Sequence, residues 1–232
     1  MLAAERGAAA NTLAAYRGDL VSAQEHIGSL GRAQAADLAK LGTAWSDLAP
    51  SSLARKASAL RQFYGFLVDE GTRADDPSAA LPRATPRRPL PKILSHAQIS
   101  ALFGQAELEA SSGKAAAVRL LALLEMLYGS GLRATELVSL PLSAIPRDAP
   151  LLTVTGKGGQ ARMVPVSKRA RAALADWAAV RGAGARPGNK YLFPSRASHL
   201  SRVRLFQMLK ELAVRADLPP EKISPHVLRL SL

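Results

Sequence analysis

Apolar positions in the first third of the chain recur with a helical period. After Asn11, a residue suited to an N-cap, Leu13, Tyr16, Leu20, Ile27 and Leu30 fall near one stripe before Gly31, which predicts an amphipathic helix. A shorter helix is predicted over Gln34 to Leu41. A third begins after Ser51 and Ser52, where Leu53, Ala57, Leu60, Tyr64 and Leu67 follow at i, i+4, i+7, i+11 and i+14. Gly71 stands where a left-handed residue would end it. The opposite face of this third helix carries Arg55, Lys56 and Arg61, which suit either solvent or a phosphate backbone.

The pattern changes at Ala80 to Pro91, ALPRATPRRPLP, whose four prolines and three arginines cannot continue a helix and predict an extended basic tether. It divides the chain into an N-terminal helical domain over 1–80, a linker over 81–91 and a second domain over 92–232. In the second domain Ser95 can cap a helix to about Gln105. Ala115 to Tyr128 then presents apolar residues on nearly every face, which marks the centre of a core. Gly129, Ser130 and Gly131 are expected to break that helix, with a short one over Ala134 to Leu140. Leu151 to Thr155 and Ala161 to Val166 are rich in β-formers and flank Gly156-Lys157-Gly158-Gly159-Gln160, so they predict a hairpin with a lysine at its tip. Helices follow over Ser167 to Arg181 and Ser201 to Arg215, with a strand-like Tyr191-Leu192-Phe193-Pro194 between them. A last helix opens at Ser224 and Pro225, an N-cap and N1 pair. The fold class is mainly α, with one small β element.

Composition narrows the chemistry. There is no cysteine, and His26, His96, His199 and His226 show no ligand spacing, so no metal cofactor is expected. No apolar run reaches the roughly 18 residues that span a bilayer, and the N-terminus lacks a signal-peptide pattern, so a soluble cytoplasmic protein is expected and no membrane partner. The formal net charge of +13 predicts a polyanionic partner. It is unevenly placed: residues 1–91 carry eleven basic and nine acidic side chains, and residues 92–232 carry twenty and nine.

Three pieces of the basic half fit a phosphodiester site: Gly131-Leu132-Arg133-Ala134-Thr135-Glu136-Leu137, the hairpin Lys157, and His226-Val227-Leu228-Arg229. Taken singly, each is as readily a surface residue or a chance match. Their order and flanks resemble the Xer-type tyrosine recombinases of the phage integrase family, through YGSGLRATELVSL, TGKGGQARMVPV and SPHVLRLSL. The first half is similar as well, in NTLAAYRGDL, SALRQFYGFLVDEG and DDPSAALPR. The resemblance implies a SAM-like core-binding domain followed by a catalytic domain. It also implies site-specific strand cleavage and rejoining through a 3′-phosphotyrosyl intermediate, serving chromosome dimer resolution or mobile-element integration. Arg133 and Arg229, with His226 beside them, would clamp the scissile phosphate, since guanidinium forks match its oxygens. Lys157 would protonate the leaving 5′ oxygen. Glu136 would orient Arg133. Arg202 and Arg204, with Arg55, Lys56 and Arg61, would contact duplex DNA. A tetramer on DNA, with or without a second recombinase, is the implied assembly, and no cofactor is required.

One departure matters. The family's nucleophilic tyrosine lies some tens of residues past H-x-x-R, whereas Tyr16, Tyr64, Tyr128 and Tyr191 all precede His226. The family's further histidine or tryptophan is missing too, and Leu230 stands where histidine is usual. The expectation is therefore a chain cut short before its nucleophile and inactive alone, with a last helix so short that it frays without packing. Met1 to Glu5 resembles the middle of a family helix, so a few N-terminal residues are expected to be missing as well. Three rivals differ in class. A DNA-binding or interfering module without cleavage fits the missing tyrosine. An RNA-binding protein lacks the aromatic platforms such modules use, at 5% aromatic residues. A nucleotide loop at TGKGG lacks the Ser or Thr and the helix that should follow its lysine.

Overall fold

Helices account for most of the computed structural model, which describes residues 10–82, 93–144, 150–156, 160–183, 188–196 and 198–231. The chain forms two units, Met1–Pro89 and Leu90–Leu232. The tether prediction falls mainly on residues 83–92, and the hairpin-tip Lys157 on residues 157–159; both lie outside the described residues.

In the first unit α1 (Ala10–Ile27), α2 (Ala35–Ala44) and α3 (Pro50–Asp69) surround a core of Leu30, Leu38, Leu41, Trp45, Leu60, Tyr64 and Leu81. Leu81, the first residue of the predicted linker, is thus buried against this unit. Two ends differ from the sequence expectation. Asn11 lies inside α1 rather than capping it, and Gly28, at φ +76°, ends the helix ahead of Gly31. Leu30 still reaches the core, from a short 3-10 turn. Gly71 behaves as expected: at φ +67° its N–H bonds to Val68 O while Thr72 N–H bonds to Leu67 O, closing the end of α3. The Tyr64 hydroxyl, fully buried, donates to Leu30 O at 3.0 Å.

The second unit is built on α5 (Ala115–Ser130), which is buried on several faces through Val118, Leu120, Ala122, Leu123, Leu124, Met126 and Leu127. Around it pack α4 (His96–Ala110), α6 (Ala134–Val138), α7 (Lys168–Val180) and α9 (Pro225–Leu230), with α8 (Arg202–Arg215) against α4 and α6. Serine caps set four of these starts: Ser95, Ser167, Ser201 and Ser224 each accept a backbone N–H from the first turn. α4 continues past Gln105 to Ala110. Gly129 and Ser130 do not break α5; the left-handed Gly131, φ +60°, does. The following helix stops at Val138, short of Leu140.

β1 (Leu151–Thr155) and β2 (Ala161–Pro165) pair antiparallel, Val154 opposite Arg162 and Leu152 opposite Val164. Leu152, Val154 and Val164 are buried, and Arg162 shares their inward face. A second, two-stranded ribbon, β3 (Pro194–Ser195) and β4 (Ser198–His199), was not predicted as such; its strands are too short to show a period. α9 has the support a six-residue helix needs: Val227 and Leu228 are buried, and Ser231 Oγ accepts the Leu94 N–H at 3.1 Å.

Candidate functional site

Gly131 turns the chain out of α5 so that Arg133, in extended conformation, becomes the N-cap residue of α6. The turn needs a residue tolerant of positive φ, although no atom lies within 4 Å of a Cβ added there. Gly131→Ala is therefore expected to cost about 1 kcal/mol through backbone strain alone, read as a shift in the chemical-denaturation midpoint; an unchanged midpoint would count against it.

α9 reaches the same place from the C-terminal side. Arg133, Arg202, His226 and Arg229 line one cleft of about 490 Å³, with Leu132 and Phe206 as apolar wall. Arg202 comes from the first turn of α8, and Ser224 with Pro225 fixes the start of α9 so that His226 and Arg229 lie one turn apart. His226 and Arg202 are exposed. No carboxylate among the described residues forms an ion pair with Arg202 or Arg229, which leaves a cationic cleft suited to an oxyanion. Leu230 is half-exposed on the same short helix.

Arg133 is held from behind. Its backbone N–H donates to Glu136 Oε2 at 2.8 Å and its Nη1 to Glu136 Oε1 at 2.9 Å. Glu136 thus orients Arg133 as read from the sequence, but the sequence reading missed its second partner. Arg162, from β2, donates Nη1 to Oε1 and Nη2 to Oε2, both at 2.8 Å. The Glu136 side chain is 8% exposed, and the Arg162 bonds above all, then those of Arg133, hold its carboxyl at about 2 against the opposing effect of burial. The signal was available: an arginine on the apolar face of a strand calls for a buried acceptor.

The other predicted contacts divide. Arg61 is exposed on α3. Arg55 pairs with the buried Asp19, and Lys56 lies 3.7 Å from the same carboxylate with its ammonium 5.0 Å from the Trp45 ring centroid. Arg204 pairs with Glu211 at 2.8 Å. These three already have intramolecular partners.

Among the described residues no tyrosine lines the cleft. Tyr64 is buried in the first unit and Tyr16 is 3.3 Å from Ser58 Oγ. Tyr128 packs edge-on against Phe103, and Tyr191 against His199.

Residues 92–232 match the model of the phage integrase family, and residues 1–71 that of the phage integrase N-terminal SAM-like domain. The chain is 70% identical over 229 residues to the tyrosine recombinase XerC of Erythrobacter litoralis, covering 99% of this chain and 74% of the relative. It is 43% identical over 249 residues to the tyrosine recombinase XerD of Brucella suis, covering 99% and 79%. Two solved structures share the fold at low identity. One is the XerH site-specific recombinase bound to its palindromic difH substrate in a post-cleavage complex, at TM-score 0.78 and 19% identity, covering 97% of this chain and 69% of that one. The other is a lambda integrase dimer bound to a COC′ core site, at TM-score 0.71 and 17% identity, covering 99% and 65%.

Proposed function

This chain belongs to the phage integrase family as a Xer-like tyrosine recombinase of site-specific recombination, and from that premise we propose that its second unit grips and activates one phosphate of duplex DNA. The observation that carries this is the meeting of Arg133, from the start of α6, with His226 and Arg229, from α9, in one cleft. Strand cleavage would proceed by attack of a tyrosine hydroxyl on phosphorus, the hydroxyl proton passing to solvent, with the bond to the 5′ oxygen breaking and a 3′-phosphotyrosyl bond forming. Arg133 and Arg229 would stabilise the charge spread over the phosphoryl oxygens, and His226 would hydrogen-bond it. Lys157 would give its proton to the leaving 5′ oxygen. Arg202 and Arg61, with Arg55, Lys56 and Arg204 where their carboxylate pairs yield, would contact the flanking backbone. The assembly would be a tetramer on DNA in the cytoplasm, alone or with a second recombinase, resolving chromosome dimers or integrating a mobile element.

A second reading has its own observation: the described residues that line the cleft include no tyrosine. On that reading the 232 residues bind DNA and cut nothing. One experiment separates the two. A duplex is selected by binding from a random-sequence pool, nicked, and incubated with the chain. A covalent adduct on a denaturing gel supports the first reading; retardation on a native gel without an adduct supports the second. Both require binding that falls by about 10³ between 50 and 200 mM salt, as for about six phosphate contacts. No affinity for duplex at low salt would remove both.

A further inference from the structure

Arg162 has no place among the groups assigned above, yet it is the strongest partner of the carboxylate that holds Arg133. We propose that Arg162 is a positioning residue for the cleavage step: it acts through Glu136, fixing the Arg133 guanidinium at the cleft, and does not touch DNA. The inference rests on the proposed role of the cleft and adds to it the residue that sets its geometry.

Three observations converge. First, Arg162 grips both oxygens of Glu136, Nη1 on Oε1 and Nη2 on Oε2, each at 2.8 Å. A bidentate fork fixes the carboxylate plane as well as its position. Second, the same two oxygens receive Arg133, Oε2 from its backbone and Oε1 from Nη1. Without Arg162 the carboxylate could rotate toward Arg133 alone, and Nη1 and the N–H would lose their common template. Third, the hairpin is shaped around the arginine. A Cβ at Gly156 would lie 3.2 Å from Arg162 Nη1 and 3.5 Å from Gln160 O, so a glycine there leaves the fork its room. Burial supports the assignment: Glu136 is 8% exposed and Arg162 36%, whereas Arg133 is 55% exposed and available to a ligand. The α6 arginine and the β1–β2 hairpin are thereby joined by one ion-paired link.

The test uses Arg162→Gln, Arg162→Lys, Glu136→Gln and the double variant R162Q/E136Q of the protein. Duplex affinity should stay within about twofold of wild type, while single-turnover cleavage falls about 30-fold in R162Q, the scale of a small misplacement at a reacting centre. R162K, which keeps charge but not the fork, should recover part of the loss. The double variant should be no slower than E136Q alone, because Arg162 acts only through that carboxylate. A purely structural role would give losses that add. In R162Q, cleavage should also fail at a higher pH on acidification than in wild type, since Glu136 loses the partner that chiefly holds its carboxyl down. Wild-type cleavage in R162Q, or an additive double variant, overturns the proposal. If the wild type forms no adduct, the reading of the cleft fails separately. The link is then decided by hydrogen exchange at the Arg133 amide, which R162Q must speed by about tenfold and which, unchanged, overturns it.

Discussion

Replacing Arg133 by alanine should leave duplex binding within a few-fold of wild type and slow strand cleavage by about 10³ to 10⁵, the range for an arginine that stabilises a phosphoryl group in flight. Binding is spread over many phosphate contacts, of which this side chain supplies one. Cleavage depends on charge that develops at one linkage, where a guanidinium already in place costs no reorganisation. The measurement is single-turnover adduct formation beside a gel-retardation titration. Equal losses in binding and cleavage would make Arg133 an ordinary backbone contact. Lysine at 133 should recover little, because it lacks the planar fork.

The second large effect concerns Glu136, and it is visible in stability as well as in rate. Its carboxyl is held at about 2 against an ordinary value of 4.5. A carboxyl depressed in the folded state stabilises the fold above the unfolded value, and that stability is lost as pH falls through the folded one. The shift corresponds to at most about 3 kcal/mol. Because Arg133 is 55% and Arg162 36% exposed, screening reduces this to about 1–2 kcal/mol. E136Q should therefore be less stable than wild type by that amount at pH 7. The gap should narrow as pH falls below about 4.5 toward 2. Cleavage by E136Q should drop about 100-fold, since both guanidiniums lose their template. Urea titrations at a series of pH values test the first part; a gap that stays constant with pH would show that Glu136 contributes shape alone.

Much of this arrangement was legible in the chain, for local reasons. The Ser95 and Ser224 caps and the left-handed Gly71 depend on one residue and its immediate neighbours, and all three stand where the sequence placed them, while Ser167 and Ser201, read as first residues of helices, are the caps just ahead of them. The two strands of the hairpin followed from β-rich runs on either side of a glycine-rich stretch, though their register did not. What the sequence left unread was set by distant partners. α5 runs through Gly129 and Ser130 because Ser167 and Ala170 of the α7 region pack closely there: a Cβ on Gly129 would meet Ser167 Oγ at 2.8 Å, so the glycine serves a close approach rather than a break. Asp19 of α1, which nothing in the sequence singled out, is 3% exposed and engages Arg55 and Lys56 from α3. Arg162 on the apolar face of β2 calls for a buried acceptor, but which one it finds, Glu136, 26 positions away, is set by the fold. The cleft itself was legible only through the family resemblance, because nothing in the spacing of Arg133 and Arg229 places them together.

The most direct measurement is a structure of the chain on its selected duplex. The account predicts one backbone phosphorus in the cleft, its oxygens within hydrogen-bonding reach of the Arg133 and Arg229 guanidiniums and of His226, with Glu136 still bridging Arg133 and Arg162. A duplex seated on another face, with those guanidiniums turned to solvent, would contradict it.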